Sequence, residues 1–129
     1  MRFLLDTNAV IAVLGGKPTV LARLKQHRPS DFGVPTIVMH ELFFGAFRSS
    51  RAAANLARID ALQFEVVDFD REDARWAGEV RAHLASSGTP IGPYDALIAG
   101  QALARSLVLI THNAREFQRV SGLRLEDWE

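Results

Sequence analysis

Apolar and polar positions along the chain fall into short blocks whose period alternates between that of a strand and that of a helix. Arg2 to Leu5 is a short apolar run that stops at Asp6. Thr7 to Leu14 then carries apolar residues at helical spacing until Gly15-Gly16 interrupts it, and Pro18 to Arg28 reads as a second helix. Phe32 to Pro35 is a compact apolar run of strand length, and Thr36 is placed to N-cap a helix running to about Phe47. The alanine-rich stretch Ser50 to Leu62 is predicted helical, Phe64 to Phe69 a strand, and Asp70 the N-cap of a helix ending near Ser86. Within that helix Trp76, Val80 and Leu84 recur every four residues and are assigned to the core. Gly88 to Pro93 is a loop, Pro93 opens a helix to about Arg105, and Leu107 to Thr111 is the last predicted strand. Glu116 and Phe117 belong to a short helical turn after it. Strands that alternate with helices, over connections too long for hairpins, predict a parallel α/β sheet covered on both faces.

Composition narrows the chemistry. The chain has 129 residues, 48% hydrophobic and 23% charged, which suits one globular unit spanning 1–129. It has no cysteine, so disulfides, thiolate zinc sites and cysteine nucleophiles are excluded, and a cytoplasmic location is expected. The longest stretch without a polar residue, Ala9 to Gly16, is 8 residues, too short to span a membrane. Net charge is zero, yet Lys17 to Arg58 holds seven basic and two acidic residues, so one segment is locally basic. Arginine outnumbers lysine 13 to 2, a bias that suits bidentate phosphate contacts.

In parallel α/β sheets, ligands bind beyond the carboxyl ends of the strands. Asp6 closes the first strand and is either an N-cap or part of such a site. Glu41 lies within Ile37 to Phe47, where seven large apolar residues in 11 positions predict a largely buried helix. A buried carboxylate there needs an arginine partner, a metal or several donors. Asp95, at the start of its helix, suits the helix dipole as well as a site. Thr111-His112-Asn113 follows the late strand, with Asn113 in position to cap the turn that follows. His112 has no second histidine at ligand spacing and is not counted as a metal ligand. If Asp6, Glu41 and Asp95 converge, they cannot all stay charged without a counter-ion. Oxygen-only ligands point to Mg²⁺, with Mn²⁺ as the alternative. Gly15-Gly16-Lys17-Pro18 lacks the hydroxyl and the upstream glycine of a phosphate loop.

Four short motifs, in this order, carry a resemblance: Asp6-Thr7-Asn8, Glu41-Leu42 with Gly45, Gly92-Pro93-Tyr94-Asp95, and Thr111-His112-Asn113. Together with Glu116-Phe117 and the tail to Trp128, they resemble the PIN-domain ribonucleases, and more closely the VapC toxins of bacterial toxin–antitoxin pairs. The resemblance implies a three-layer α/β/α sandwich around a mostly parallel sheet of four to five strands. It also implies a Mg²⁺-dependent endoribonuclease, possible tRNA substrates, a homodimer and a neutralising VapB-type antitoxin. Asp6, Glu41 and Asp95 match the metal-binding acids, and Thr7 the hydroxyl supporting them. Where many relatives carry a fourth acid this chain has Asn113, expected to position a water or the metal, while Glu116 either supplies the missing charge or is a solvated acid of the following turn. Asn113 leaves a catalytically silent scaffold as the alternative function. A receiver domain needs an acidic pair and a late lysine, and a dehalogenase-like phosphatase an acid at position 8; both are excluded.

Two surfaces follow from the pattern. Arg48, Arg51 and Arg58 are the expected RNA-binding residues, because no acid interrupts Leu42 to Ile59. Phe43, Phe44 and Phe47 exceed what one inward stripe requires, so one side of their helix is expected to meet a partner.

Overall fold

The computed structural model describes residues 1–129. In chain order the elements are β1 (Phe3–Leu5), α1 (Thr7–Leu14), α2 (Pro18–Leu24), a 3₁₀ turn (Pro29–Asp31), β2 (Phe32–Pro35), α3 (Thr36–Arg48) and α4 (Ala52–Asp60). They continue with β3 (Glu65–Val67), α5 (Arg71–Ser86), α6 (Pro93–Ala104), β4 (Val108–Ile110), α7 (Ala114–Phe117) and β5 (Leu125–Glu126). The five strands form one sheet in the order β3-β2-β1-β4-β5, with every pairing parallel. Every residue of β1 and β2 is buried, as a sheet requires when helices cover both its faces.

Local chemistry sets most boundaries. Asp6 caps α1 by accepting the Ala9 amide at 2.8 Å, and Gly16, at φ +71°, provides the left-handed turn after it. Asp70 and Asp73 form a reciprocal capping box at the start of α5. Thr36 does not cap α3: Pro35 holds the cap position and makes no side-chain bond, while Thr36 is the first helical residue. The second helix stops at Leu24, short of the expected Arg28, and the Ser50 to Leu62 helix is trimmed to Ala52–Asp60. Trp76 is 39% exposed and outside the core. The inward stripe of α5 is Asp73, Ala77, Val80 and Leu84, so the position before Ala77 turns to the flank.

Asp73, 1% exposed, is satisfied by Gln101 at 2.9 Å and by Arg105 at 3.0 Å, which fastens the start of α5 to the end of α6. β5 is an element that the apolar pattern does not predict. It pairs Leu109 with Leu125, and Trp128 beyond it is 4% exposed and packed edge-on to Phe3 and Phe32. No helix is long and apolar enough to cross a membrane.

Candidate active site

Register places the first part of the site. Leu5 of β1 is paired with Ile110 of β4, so the next residues, Asp6 and Thr111, emerge side by side at the carboxyl edge of the sheet. The Asp6 amide donates to the Ile110 carbonyl at 3.2 Å, and the Thr111 side chain hydrogen-bonds the Asp6 carboxylate. Thr111, 1% exposed, also accepts the Asn113 amide at 2.9 Å, which shapes the turn into α7. Asp6 is therefore the α1 cap and at the same time faces Glu41 at this edge of the sheet.

Glu41 comes from α3. Its Oε1 accepts the Thr7 hydroxyl at 2.8 Å, and no arginine pairs with it. Asp95 comes from the first turn of α6, where burial and the facing charges of Asp6, Glu116 and Glu41 push its carboxyl up to about 6. Asp6 is raised as well, mainly by burial, and Glu129 and Glu41 add to the effect. Glu116 departs from expectation: it is half-buried, faces Asp95 and accepts the Asn113 side-chain amide at 3.3 Å. Asn113 makes no capping bond with its side chain; it holds Glu116 instead. The structure thus brings Asp6, Glu41, Asp95 and Glu116 into one electrostatic neighbourhood, and none of the four is in a salt bridge.

The remaining predicted residues separate. Asn8 is exposed and lines an adjoining cleft with Lys17, His112 and Glu129. Arg51 is exposed just before α4, Arg48 lies over the Phe44 ring at 5.2 Å, and Arg58 donates to the Leu14 carbonyl. The α3 helix is less buried than its apolar content predicts, and one side is exposed, as its excess of large apolar residues implied. Val38, Leu42 and Ala46 form its inward stripe, Phe43 packs partly buried against the core, and Phe44 and Phe47 are 57% and 68% exposed. Sequence spacing misses one grouping: His112, Asp127 and Glu129 lie together, although no second histidine is near enough in the chain to flag His112 as a ligand.

Raised carboxyls have a thermodynamic consequence. Unfolded, Asp95 loses its proton near pH 4; folded, it keeps it to about pH 6. Between those values the native state binds the extra proton, so stability falls as pH rises and levels off above pH 6. A shift of this size corresponds to about 2 kcal/mol after allowing for partial solvation. In chelator, Asp95→Asn is expected to match the wild type at pH 4 and exceed its stability by about that amount at pH 7.5. Urea unfolding at the two pH values checks this, and equal stabilities at pH 7.5 would show that neither burial nor the neighbouring charges penalise the Asp95 carboxylate.

A parallel sheet with uncompensated acids at its carboxyl edge defines a class, and residues 3–123 match the PIN domain family. The chain belongs to that family. Within it, the chain is 41% identical over 130 residues to the tRNA(fMet)-specific endonuclease VapC of Salmonella typhimurium, covering 99% of this chain and 98% of that one. The Shigella flexneri protein of the same name is 38% identical over the same shares. Among solved structures, DNA-bound VapBC from Salmonella typhimurium superposes with a TM-score of 0.95 over 100% of this chain and 99% of that chain. VapBC-1 from nontypeable Haemophilus influenzae, 33% identical, gives 0.90, covering 99% of this chain and 98% of that one.

Proposed function

We propose that this protein is the toxin of a VapBC-type pair, a Mg²⁺-dependent endoribonuclease that hydrolyses RNA phosphodiesters, with tRNA as the substrate class. The observation that carries this reading is the convergence of four carboxylates from four elements without a basic partner. Such a cluster fits a hard divalent cation, because oxygen donors alone surround it. The relatives named tRNA(fMet)-specific endonucleases support the substrate class.

In this reading Asp6, Glu41 and Asp95 hold Mg²⁺, and Glu116, oriented by the Asn113 amide, adds the fourth charge. When bound, the ion polarises a phosphoryl oxygen and lowers the pKa of water for in-line attack. Thr7 fixes the Glu41 carboxylate, and Thr111 fixes that of Asp6. Glu116 beside Asp95 supports an enzyme over a silent scaffold. Purified protein is expected to cut tRNA with Mg²⁺ (or Mn²⁺), leaving 5′-phosphate and 3′-hydroxyl ends, and to stop in chelator. Intact tRNA under these conditions would overturn the reading.

Arg48, Arg51 and Arg58 are proposed to contact phosphates. Their charge-neutral replacement should flatten the salt dependence of RNA binding by nearly one unit of slope for each phosphate no longer neutralised. An unchanged slope in binding titrations would move the RNA surface elsewhere.

The proposed partners are a VapB-type antitoxin and a second copy of the chain, within a larger cytoplasmic assembly; the VapBC complexes among the structural neighbours support the antitoxin. A cleft of about 310 Å³ between α1, α3 and α4 runs from Glu41 past Ile11 and Leu42 to Ile59, and Phe44 and Phe47 are exposed elsewhere on α3. An antitoxin segment lying here places a basic side chain at Glu41 and competes with metal. Phe44→Asp and Phe47→Asp are expected to fold, because both rings are in solvent, and to remain toxic when antitoxin is co-expressed. Undiminished antitoxin binding by both variants would refute the assignment. Phe43→Asp, placing a charge against the core, is expected to unfold.

A further inference from the structure

We propose that His112, Asp127 and Glu129 form a second metal site, selective for a borderline divalent cation of the Zn²⁺ type, which shares no ligand with the four-acid cluster although Glu129 borders Asp6. Its residues are delivered by the sheet. β4 and β5 run parallel with Ile110 opposite Glu126, so the chain segments leaving both strands stay adjacent. Side chains alternate along an extended chain. Trp128 points inward, stacked on His27 with ring centroids 5.8 Å apart, while Arg23 lies over its ring at 4.9 Å. With Trp128 anchored, Asp127 and Glu129 are turned to the same outward side, next to His112.

Distances fit the chemistry. His112 Nδ1 lies 3.1 Å from Asp127 Oδ2 and 3.8 Å from Glu129 Oε2, and one ligand atom from each residue falls within 4.8 Å of the others. Donors bound tetrahedrally to Zn²⁺ at about 2.0–2.1 Å stand about 3.3 Å apart. The observed separations bracket that value, so an ion is accepted at Nδ1 of the tautomer that carries its proton on Nε2, with small side-chain adjustments. The second Glu129 oxygen accepts Lys17 Nζ at 2.6 Å, which holds the carboxylate in place. The Glu129 amide donates to Asp127 Oδ1 at 3.0 Å and does the same for that group. Lys17 offsets only one of the two carboxylates, so beside a neutral imidazole a negative charge remains for a cation. Three protein donors leave a fourth position open to water or a ligand. The adjoining cleft, about 570 Å³ and lined by Asn8, Gly16 and Lys17, gives access to it.

The donor set separates this site from the first. One imidazole with two carboxylates suits Zn²⁺, whereas Mg²⁺ demands near-octahedral oxygen coordination and keeps its waters. The test is zinc titration of the metal-stripped full chain in the Asp6→Asn/Asp95→Asn background, which disables the four-acid cluster. One equivalent is expected to bind in the presence of excess Mg²⁺. It should be lost on adding His112→Ala or Asp127→Asn, both at exposed positions where folding is preserved. Co²⁺ should give the visible absorption of a tetrahedral ion in the parent and lose it in both variants. Absence of zinc binding in the parent, or binding that survives both substitutions, would overturn the site. Because the parent already lacks the proposed nuclease acids, neither outcome depends on RNA cleavage.

Discussion

Asp6→Asn is expected to abolish RNA cleavage while leaving the fold intact. The carboxylate is 4% exposed, between Thr111 and the Ala9 amide, and shares its surroundings with Glu41 and Asp95. Removing its charge weakens metal binding and the transition-state stabilisation that the ion contributes, a loss of several kcal/mol. At 1.36 kcal/mol per tenfold, that is a fall of about a thousandfold in rate. Asparagine is as good an N-cap as aspartate, so α1 keeps its first turn, and one repelling charge leaves the cluster. Alanine is the poorer probe, because it also removes the cap, at about 1 kcal/mol. Cleavage assays beside urea unfolding in chelator separate the two effects. Wild-type cleavage by the folded Asp6→Asn protein would remove Asp6 from the metal site. A large loss of stability would instead give the carboxylate a structural role.

Gly100→Ala should be among the most damaging single-methyl changes in the molecule. A Cβ at position 100 would stand 2.5 Å from both the N and the Cα of Ala77, so backbone blocks it and no rotamer relieves the clash. Helices α5 and α6 must then separate, opening the seam that Gln101 and Arg105 close over Asp73. Overpacking of this kind costs about 3 kcal/mol, outweighing the roughly 1 kcal/mol gained from replacing a helical glycine. Gly78→Ala, on α5 with nothing within 4 Å of its added carbon, is the control and is expected to stabilise slightly. Denaturation midpoints read both, and a neutral Gly100→Ala would mean that the helices slide apart freely. Asp95 opens α6, so the variant that survives should also bind metal more weakly.

Legibility in the sequence follows the range of the interactions. β2 and α1 match their expected bounds, and α5 begins where its cap signal stands, because capping, glycine turns and apolar period act within a few residues. β5 is invisible at that range, since two residues with a polar member carry no period; pairing with β4 makes them a strand. The three acids Asp6, Glu41 and Asp95 are recognisable from their positions at strand and helix ends or within an apolar helix. Glu116 reads as solvated in the sequence, since nothing local signals that α7 folds back toward Asp95. The α3 helix reads as largely buried with one side left over, because apolar content alone does not say how wide the core face is. His112 illustrates the same limit: its carboxylate neighbours are 15 and 17 positions away and become adjacent only through sheet pairing.

The central pairing of β1 with β4 also has a meaning for a chain during synthesis. Residues 3 to 5 wait for residues 108 to 110, so the middle of the sheet cannot close until more than 100 further residues have been made. Asp6 and Glu41 are translated early, but Asp95 and Glu116 arrive late, and Thr111, which fixes Asp6, arrives with β4. A nascent chain, or a fragment from a broken message, therefore carries only half of the acids on an unfinished sheet. The four acids therefore come together only after β4 and α7 have been made.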